Sequence, residues 1–246
     1  MTTLLGLALV ILAAVLLAVF ALIKRKSPPA FREIAALTRL RKAAGLTVED
    51  GTRLHVTLGH GKLVTPPGAA SLAALGLLRQ VAEQTSISDL PPVATSGDPL
   101  LSTLSQDTLK AAYRAAGIEE LFDPNTGRLA GMSPFSYAAG AMSVNREEQV
   151  STNVLIGDFG PEVGLLADSA ERENATLIAA AADPAAQSIL FASTNEPLVG
   201  EELFAMQAYV SEDSYQRASL QLQDILRWLV ILFLVGAAGL KMLGVL

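Results

Sequence analysis

Val93-Ala94-Thr95-Ser96-Gly97-Asp98-Pro99 reads as a short apolar strand, a glycine turn and the start of a helix. Asp98 is placed as an N-cap, and Pro99 takes the first helical position, where a missing N–H costs nothing. The same signal returns at Asp183-Pro184, again just after an apolar run at 177–180. Strand-like runs are expected at 54–58, 93–95, 154–156, 177–180 and 206–210. Helix-like segments lie at about 69–84, 99–116, 161–173 and 184–193. Short apolar strands alternating with helices predict an α/β domain: a mostly parallel, doubly wound (Rossmann-like) sheet covered on both faces.

Two stretches depart from that alternation. Leu46-Thr47-Val48-Glu49 and residues 52–58 flank Asp50-Gly51, and together they read as a β-hairpin with a type I′ turn. Residues 121–129 carry Asp123-Pro124-Asn125 and Gly127, the turn chemistry of a second hairpin, and Ser133-Pro134 then opens a small-residue helix over 135–142.

The ends of the chain are of another kind. Residues 4–23 form an uncharged run of 20, about 30 Å long as a helix and so matched to a bilayer core. The basic cluster Lys24-Arg25-Lys26 follows this run instead of preceding it, which is the reverse of a cleaved signal peptide. A second span is expected at 228–246. Arg227 and Trp228 anchor its near side, and Lys241 reaches toward the far interface. The domains are therefore an N-terminal transmembrane helix (1–24), a basic juxtamembrane amphipathic helix (25–45), an α/β domain (46–212) and a helix continuing into the C-terminal span (213–246). Ser27 and Pro28 are expected to open the juxtamembrane helix and Gly45 to close it.

Charge gives the orientation. Residues 24–42 hold seven basic side chains against one acid, Glu33, whereas 43–224 hold 9 basic and 23 acidic residues. A Lys/Arg excess marks the cytoplasmic flank of a span. The expectation is a two-pass plasma-membrane protein with its central domain cytoplasmic and both termini outside. The basic strip also suits anionic lipid.

Composition excludes several classes. The chain is 246 residues long, 51% hydrophobic and 17% charged, too apolar for a disordered chain. It has no cysteine and two histidines, which rules out thiol nucleophiles, Fe–S clusters and disulfide scaffolds and disfavours a multi-histidine metal centre. No metal site and no cofactor are assigned. A net charge of −6 argues against nucleic acid as a partner.

Chemistry, where present, is expected beyond the carboxyl ends of the strands. Those positions read Gly59-His60-Gly61-Lys62, Ser96-Gly97-Asp98, Gly157-Asp158-Phe159-Gly160 and Ala182-Asp183. Glycine admits close backbone approach, and a helix N-terminus attracts anions. The candidate ligand residues are therefore Gly59, His60, Lys62, Ser96, Asp98, Gly157 and Asp158. Against this stands the plain reading of Gly and Asp as turn and cap residues. His55 alternates with Arg53 and Thr57 on the polar side of its strand. The pairs Glu119-Glu120, Glu147-Glu148 and Glu201-Glu202 read as solvated surface. Gly157-Asp158-Phe159-Gly160 has the letters of a kinase metal triplet without its partners, and no Walker A loop, G-x-G-x-x-G or G-x-S-x-G is present. No catalytic residue is assigned.

Several segments together carry a resemblance. They are Asp50-Gly51-Thr52-Arg53-Leu54-His55-Val56, Gln106-Asp107-Thr108-Leu109 with Ala112-Tyr113-Arg114, and Ser133-Pro134-Phe135-Ser136-Tyr137-Ala138-Ala139-Gly140. Asn153-Val154-Leu155-Ile156-Gly157 and Gly200-Glu201-Glu202-Leu203-Phe204-Ala205 complete the set. The chain resembles uncharacterised bacterial membrane proteins that share a domain of unknown function, with a span at each end. The resemblance implies a membrane location and this two-span layout, and no activity, cofactor or site residues.

The expected function is a membrane-anchored structural or assembly platform, with the bilayer and either a second copy or other membrane-complex subunits as partners. The alternative is a nucleotide- or anion-binding or enzymatic domain using the glycine- and aspartate-rich rim.

Overall fold

In the computed structural model the described residues are 32–64, 68–210 and 214–242, with single positions 7, 11, 15, 16, 18 and 19. Two units result: Glu33–Val210, and a second one comprising the two ends of the chain. In the larger unit the elements run α1 (Ala35–Asp50), β1 (Arg53–Gly59), α2 (Gly68–Thr85), β2 (Val93–Ser96) and α3 (Pro99–Ala115). Then come 3-10 turns at Glu119–Leu121 and Pro124–Thr126, β3 (Gly127–Leu129), α4 (Pro134–Glu147) and β4 (Val150–Asp158). It ends with α5 (Val163–Arg172), β5 (Thr176–Ala181), α6 (Pro184–Ser193) and α7 (Glu202–Val210).

All five strands are parallel, in the order β3-β2-β1-β4-β5. The alternation of each strand divides its side chains between two cores. Leu54, Val56, Leu58, Val154, Ile156 and Ile178 join one core with residues of α1, α2, α3 and α7. Leu155, Ala179 and Ala181 join the other with residues of α4, α5 and α6. Burial on both faces explains why 154–156 and 177–180 read as continuous apolar runs, while β1 still alternates polar and apolar side chains. Asp98 caps α3 by accepting from Leu101 N at 3.0 Å, and Asp183 caps α6 through Ala185 N and Ala186 N.

Three expectations fail locally. No hairpin forms over 46–58, because α1 continues through Gly45 to Asp50 and keeps Ala43, Ala44 and Thr47 on its buried side. Asp50-Gly51 is a helix stop: Gly51 takes φ 62° and its N–H reaches back to Thr47 O. The β-branched letters of 46–48 are overridden by the amphipathic period of the longer helix, and Thr47 returns its hydroxyl to Ala44 O at 2.8 Å. Residues 121–129 are not a hairpin either. Asp123 accepts from Asn125 N and folds the segment into a 3-10 turn, and β3 then joins β2 in parallel. Residues 206–210 are helical, with Leu203, Met206 and Val210 buried at helical spacing. The edge of β5 is met instead by Leu198, which bridges Ala180.

The expected cap at Ser27 and the anchors Lys24, Arg25 and Lys26 lie outside the described residues, as does most of the run at 4–23. Leu7, Ile11, Val15 and Val19 within that run are helical and exposed. In the second unit α8 (Ser214–Met242) is one unbroken helix, as expected from about 213. Its stretch Gln216–Gly236 is long and apolar enough to cross a membrane. This stretch starts ahead of the span expected at 228, and residues 243–246 of that span lie outside the described ones. Trp228, Leu229, Val230, Ile231, Leu232, Leu234 and Val235 are all exposed, unlike a core helix. Arg227 pairs with Asp224 at 3.7 Å.

Gly51 supplies a direct check of the α1 stop. A Cβ there meets nothing within 4 Å, so the cost of a side chain is purely that of the left-handed backbone. Gly51→Ala should lose about 1 kcal/mol in urea unfolding, and Gly51→Asn less. An unchanged stability for Gly51→Ala would contradict the cap.

Candidate functional site

Parallel pairing in the order above puts the reversal of strand order between β1 and β4, so the carboxyl ends of these two strands flank the crevice of such a sheet. Gly59 ends β1 with φ 80°, and His60 follows; Gly157 and Asp158 end β4. His60 N donates to Asp158 O at 3.1 Å, and Gly97 N donates to Gly59 O at 2.9 Å. Of the expected candidates, Gly59, His60, Gly157 and Asp158 are thus brought together. Ser96 and Asp98 lie at the adjoining end of β2, where Ser96 donates to Asp98 O and the Asp98 carboxylate is engaged at its cap. Lys62 is exposed in the loop after His60.

The glycines here make room for the protein itself. A Cβ on Gly59 would fall against the Asp158 carbonyl, one on Gly61 against the Asp158 side chain, one on Gly97 against His60 and one on Gly157 against the Leu58 carbonyl. These close approaches pull the β1 and β4 loops onto each other.

A residue without any sequence signal completes the cluster. Glu162 is 3% exposed, receives Gly160 N at 2.7 Å and lies 3.1 Å from His60 Nε2. Burial raises the Asp158 carboxyl above its ordinary range; His60 opposes this, while Asp183 and Glu162 add to it. Three carboxylates therefore share this rim, a field that disfavours an anion. Among the described residues no group of three or more His, Asp or Glu is arranged to hold a metal ion. Two clefts, of about 570 and 460 Å³, lie elsewhere and share Arg39 in their walls; the larger includes Thr176 and Leu177, at the opposite end of β5.

Below the rim runs a buried polar chain. The face of β1 bearing His55 is covered by α4, so His55 is fully buried instead of lining an open polar face. Its Nδ1 lies 2.6 Å from Asn145 Oδ1 and its Nε2 lies 2.9 Å from Thr95 Oγ1. Thr95 also bonds the Tyr137 hydroxyl, which accepts Gly59 N at 3.1 Å. With the Asn145 oxygen as acceptor, the chain has one consistent direction. His55 Nδ1–H donates to Asn145, Thr95 donates to His55, Tyr137 donates to Thr95 and Gly59 donates to Tyr137. The link in which His55 Nε2 accepts from Thr95 requires a neutral imidazole. Burial lowers its pKa to about 4, with Asn145 and Glu148 opposing and Arg128 assisting. Burial likewise raises the Tyr137 hydroxyl.

The acidic pairs divide. Glu119 stays on the surface, where hydrogen bonds from Arg114 hold its pKa down to about 2. Glu148 does not: it is mostly buried between Arg53 at the start of β1 and Arg128 of β3. It ties two strands to the end of α4, a long-range contact that adjacent sequence letters cannot reveal.

His55 sets a pH dependence. Its folded pKa lies below the unfolded value of 6.5, so the unfolded chain binds the extra proton between 6.5 and about 4. The stability is present above 6.5 and is lost as pH falls through that window. The full chain should lose about 2 kcal/mol of unfolding free energy from about pH 7 to about pH 5 through this group. Urea titrations of His55→Gln should show a correspondingly flatter slope, and an identical slope would refute the assignment.

No curated protein and no solved structure matches this chain. Residues 1–245 match a domain of unknown function, DUF6754, which covers every element described above. The chain belongs to the DUF6754 family.

Proposed function

We propose that this chain is a membrane-attached platform whose α/β unit acts by docking and assembly rather than by turning over a small molecule. The carrying observation is the state of the crevice between β1 and β4. In a doubly wound, Rossmann-like reading of this sheet, that crevice is where a ligand would sit. Here the loops that border it are drawn onto each other by the Glu162–His60 pair and by the close approach of Gly59, Gly61 and Gly97 to their neighbours. The N-termini of α3 and α6 are occupied by Asp98 and Asp183. Exposed Leu129, Met132 and Phe135, beside the open edge strand β3, supply apolar contact area for a second copy or a membrane-complex subunit.

The membrane part of the reading rests on α8 and on the run at 4–23. It is a two-pass plasma-membrane layout with Lys24, Arg25 and Lys26 on the cytoplasmic side, the α/β unit cytoplasmic and both termini outside. A second reading, a nucleotide- or anion-binding site or enzyme at the C-terminal edge of the sheet, draws on His60 held by the buried Glu162. The carboxylates of Asp158, Glu162 and Asp183 weigh against an anionic ligand there.

Native mass measurement of the detergent-extracted full chain separates the two. A discrete oligomer or stoichiometric complex without added ligand mass is expected. A strictly monomeric particle carrying a nucleotide would reverse the ranking. Protease added to sealed vesicles of known orientation should cut the α/β unit from the cytoplasmic side alone, and cutting from outside would overturn the topology.

A further inference from the structure

The basic strip ahead of the α/β unit is expected to form an amphipathic helix lying near the membrane, and insertion by its apolar side is one way such a helix could meet lipid. The fold uses that side differently. Ala36, Leu37 and Leu40 of α1 belong to the domain core, with Leu40 fully buried and Leu37 2% exposed. Insertion of this helix into a bilayer by its apolar face is therefore not available without breaking the core. The outward side carries Arg41, Lys42, Gly45, Leu46 at 52% exposed one turn beyond Lys42, and then Glu49 and Asp50. Arg39 is neutralised by Glu196 at 3.0 Å. Arg41 and Lys42 make no ion pair among the described residues. The acids of this segment sit at the ends of the helix: Glu33 before it, Glu49 and Asp50 in its last turn.

We propose that the outward face of α1, through Arg41 and Lys42 with Leu46 beside them, docks on an anionic phospholipid surface. This rests on the membrane-attached reading above and adds to it which face of the α/β unit meets the bilayer. Charge complementarity selects the occupant. Residues 24–42 carry a net +6, whereas 43–224 carry a net −14, so the boundary between the cationic strip and the acidic body falls inside α1, between Lys42 and Glu49. An anionic leaflet attracts the first and repels the second. Only eleven residues, 24–34, separate α1 from the apolar run at 4–23 in the sequence. The mode is electrostatic contact with one shallow apolar side chain, which differs from insertion of an amphipathic helix.

The absence of native cysteine makes the test direct. The full chain with Leu46→Cys, labelled with an environment-sensitive fluorophore, is reconstituted in nanodiscs of phosphatidylcholine alone or enriched in phosphatidylglycerol. A blue shift is expected only in the anionic discs, and it should fade in about 0.5 M salt, where screening shortens to a few ångströms. Arg41→Gln with Lys42→Gln should reduce the docked-to-free ratio about thirty-fold, from two surface cations. Arg79→Gln, an exposed cation on α2, should leave the shift intact. Equal emission in both kinds of disc, or a shift insensitive to the Arg41/Lys42 change, overturns the proposal. A chain that stays in solution without detergent and fails to enter discs overturns the membrane-attached reading instead, so the two failures are distinct.

Discussion

The α/β unit depends on β1 and β4 lying side by side in the middle of the sheet. Arg53 pairs with Val150 at one end and Gly59 with Asp158 at the other, with register shifts at both ends of the ladder. The chain lays down β1, β2 and β3 in one direction and β4 and β5 in the other, so right-handed connections cross one face of the sheet before the reversal and the opposite face after it. That reversal sends α2 and α3 to one core and α4 and α5 to the other. Glycine at 59 and 157 is what lets the ladder close at its carboxyl end, since a Cβ at either would strike backbone of the opposite strand. Backbone cannot yield as a flexible side chain can, so these two positions tolerate no substitution without moving a strand.

The central pair also organises the polar interior. His55 on β1 stands opposite Asn153 on β4, and both are fully buried. Burying two polar side chains beneath α4 costs free energy unless they are bonded. His55 is satisfied by Asn145 and Thr95, whereas the Asn153 amide has no hydrogen-bond partner among the described residues. The chain from Asn145 through His55, Thr95 and Tyr137 to the Gly59 N–H links α4 to three adjacent features of the sheet: the middle of β1, β2 and the end of β1. Its role follows from its last link. The Gly59 N–H is a buried donor at the point where β1 turns away, and the Tyr137 hydroxyl is what satisfies it.

Legibility in the sequence follows the range of the interaction concerned. The Asp-Pro signals at 98–99 and 183–184 act within one helical turn, and α3 and α6 start where those letters place them. The apolar runs of β2, β4 and β5 are equally readable, whereas β1 alternates Arg53, His55 and Thr57 with Leu54, Val56 and Leu58 and reads as half exposed although both its sides are buried. Asp50-Gly51 misleads because a hairpin turn and a helix stop both use glycine at positive φ; only the buried row Ala43, Ala44 and Thr47 distinguishes them. At the rim, Gly59, His60, Gly157 and Asp158 are brought together by parallel topology, which alternating strands and helices imply. Glu162 and Tyr137 come from separate helical segments, and Glu148 meets Arg53 across 95 residues. Nothing local marks them.

The fate of α1 shows how a domain and a membrane compete for one apolar face. Leu37 and Leu40 gain about 1.5–3 kcal/mol each when removed from water, and either a protein core or a bilayer supplies that gain. The core adds close packing against neighbours of fixed shape, which fluid lipid cannot match. It also spares the helix the cost of leaving the body to which Gly51 and β1 immediately bind it. Once the core has taken the apolar side, only the polar side remains to face outward, and charge becomes the sole basis on which a surface can select it. A chain that concentrates its cations in residues 24–42 and its acids beyond them keeps that selection after folding. In the proposed docking, folding leaves this segment to meet a membrane by attraction and not by insertion.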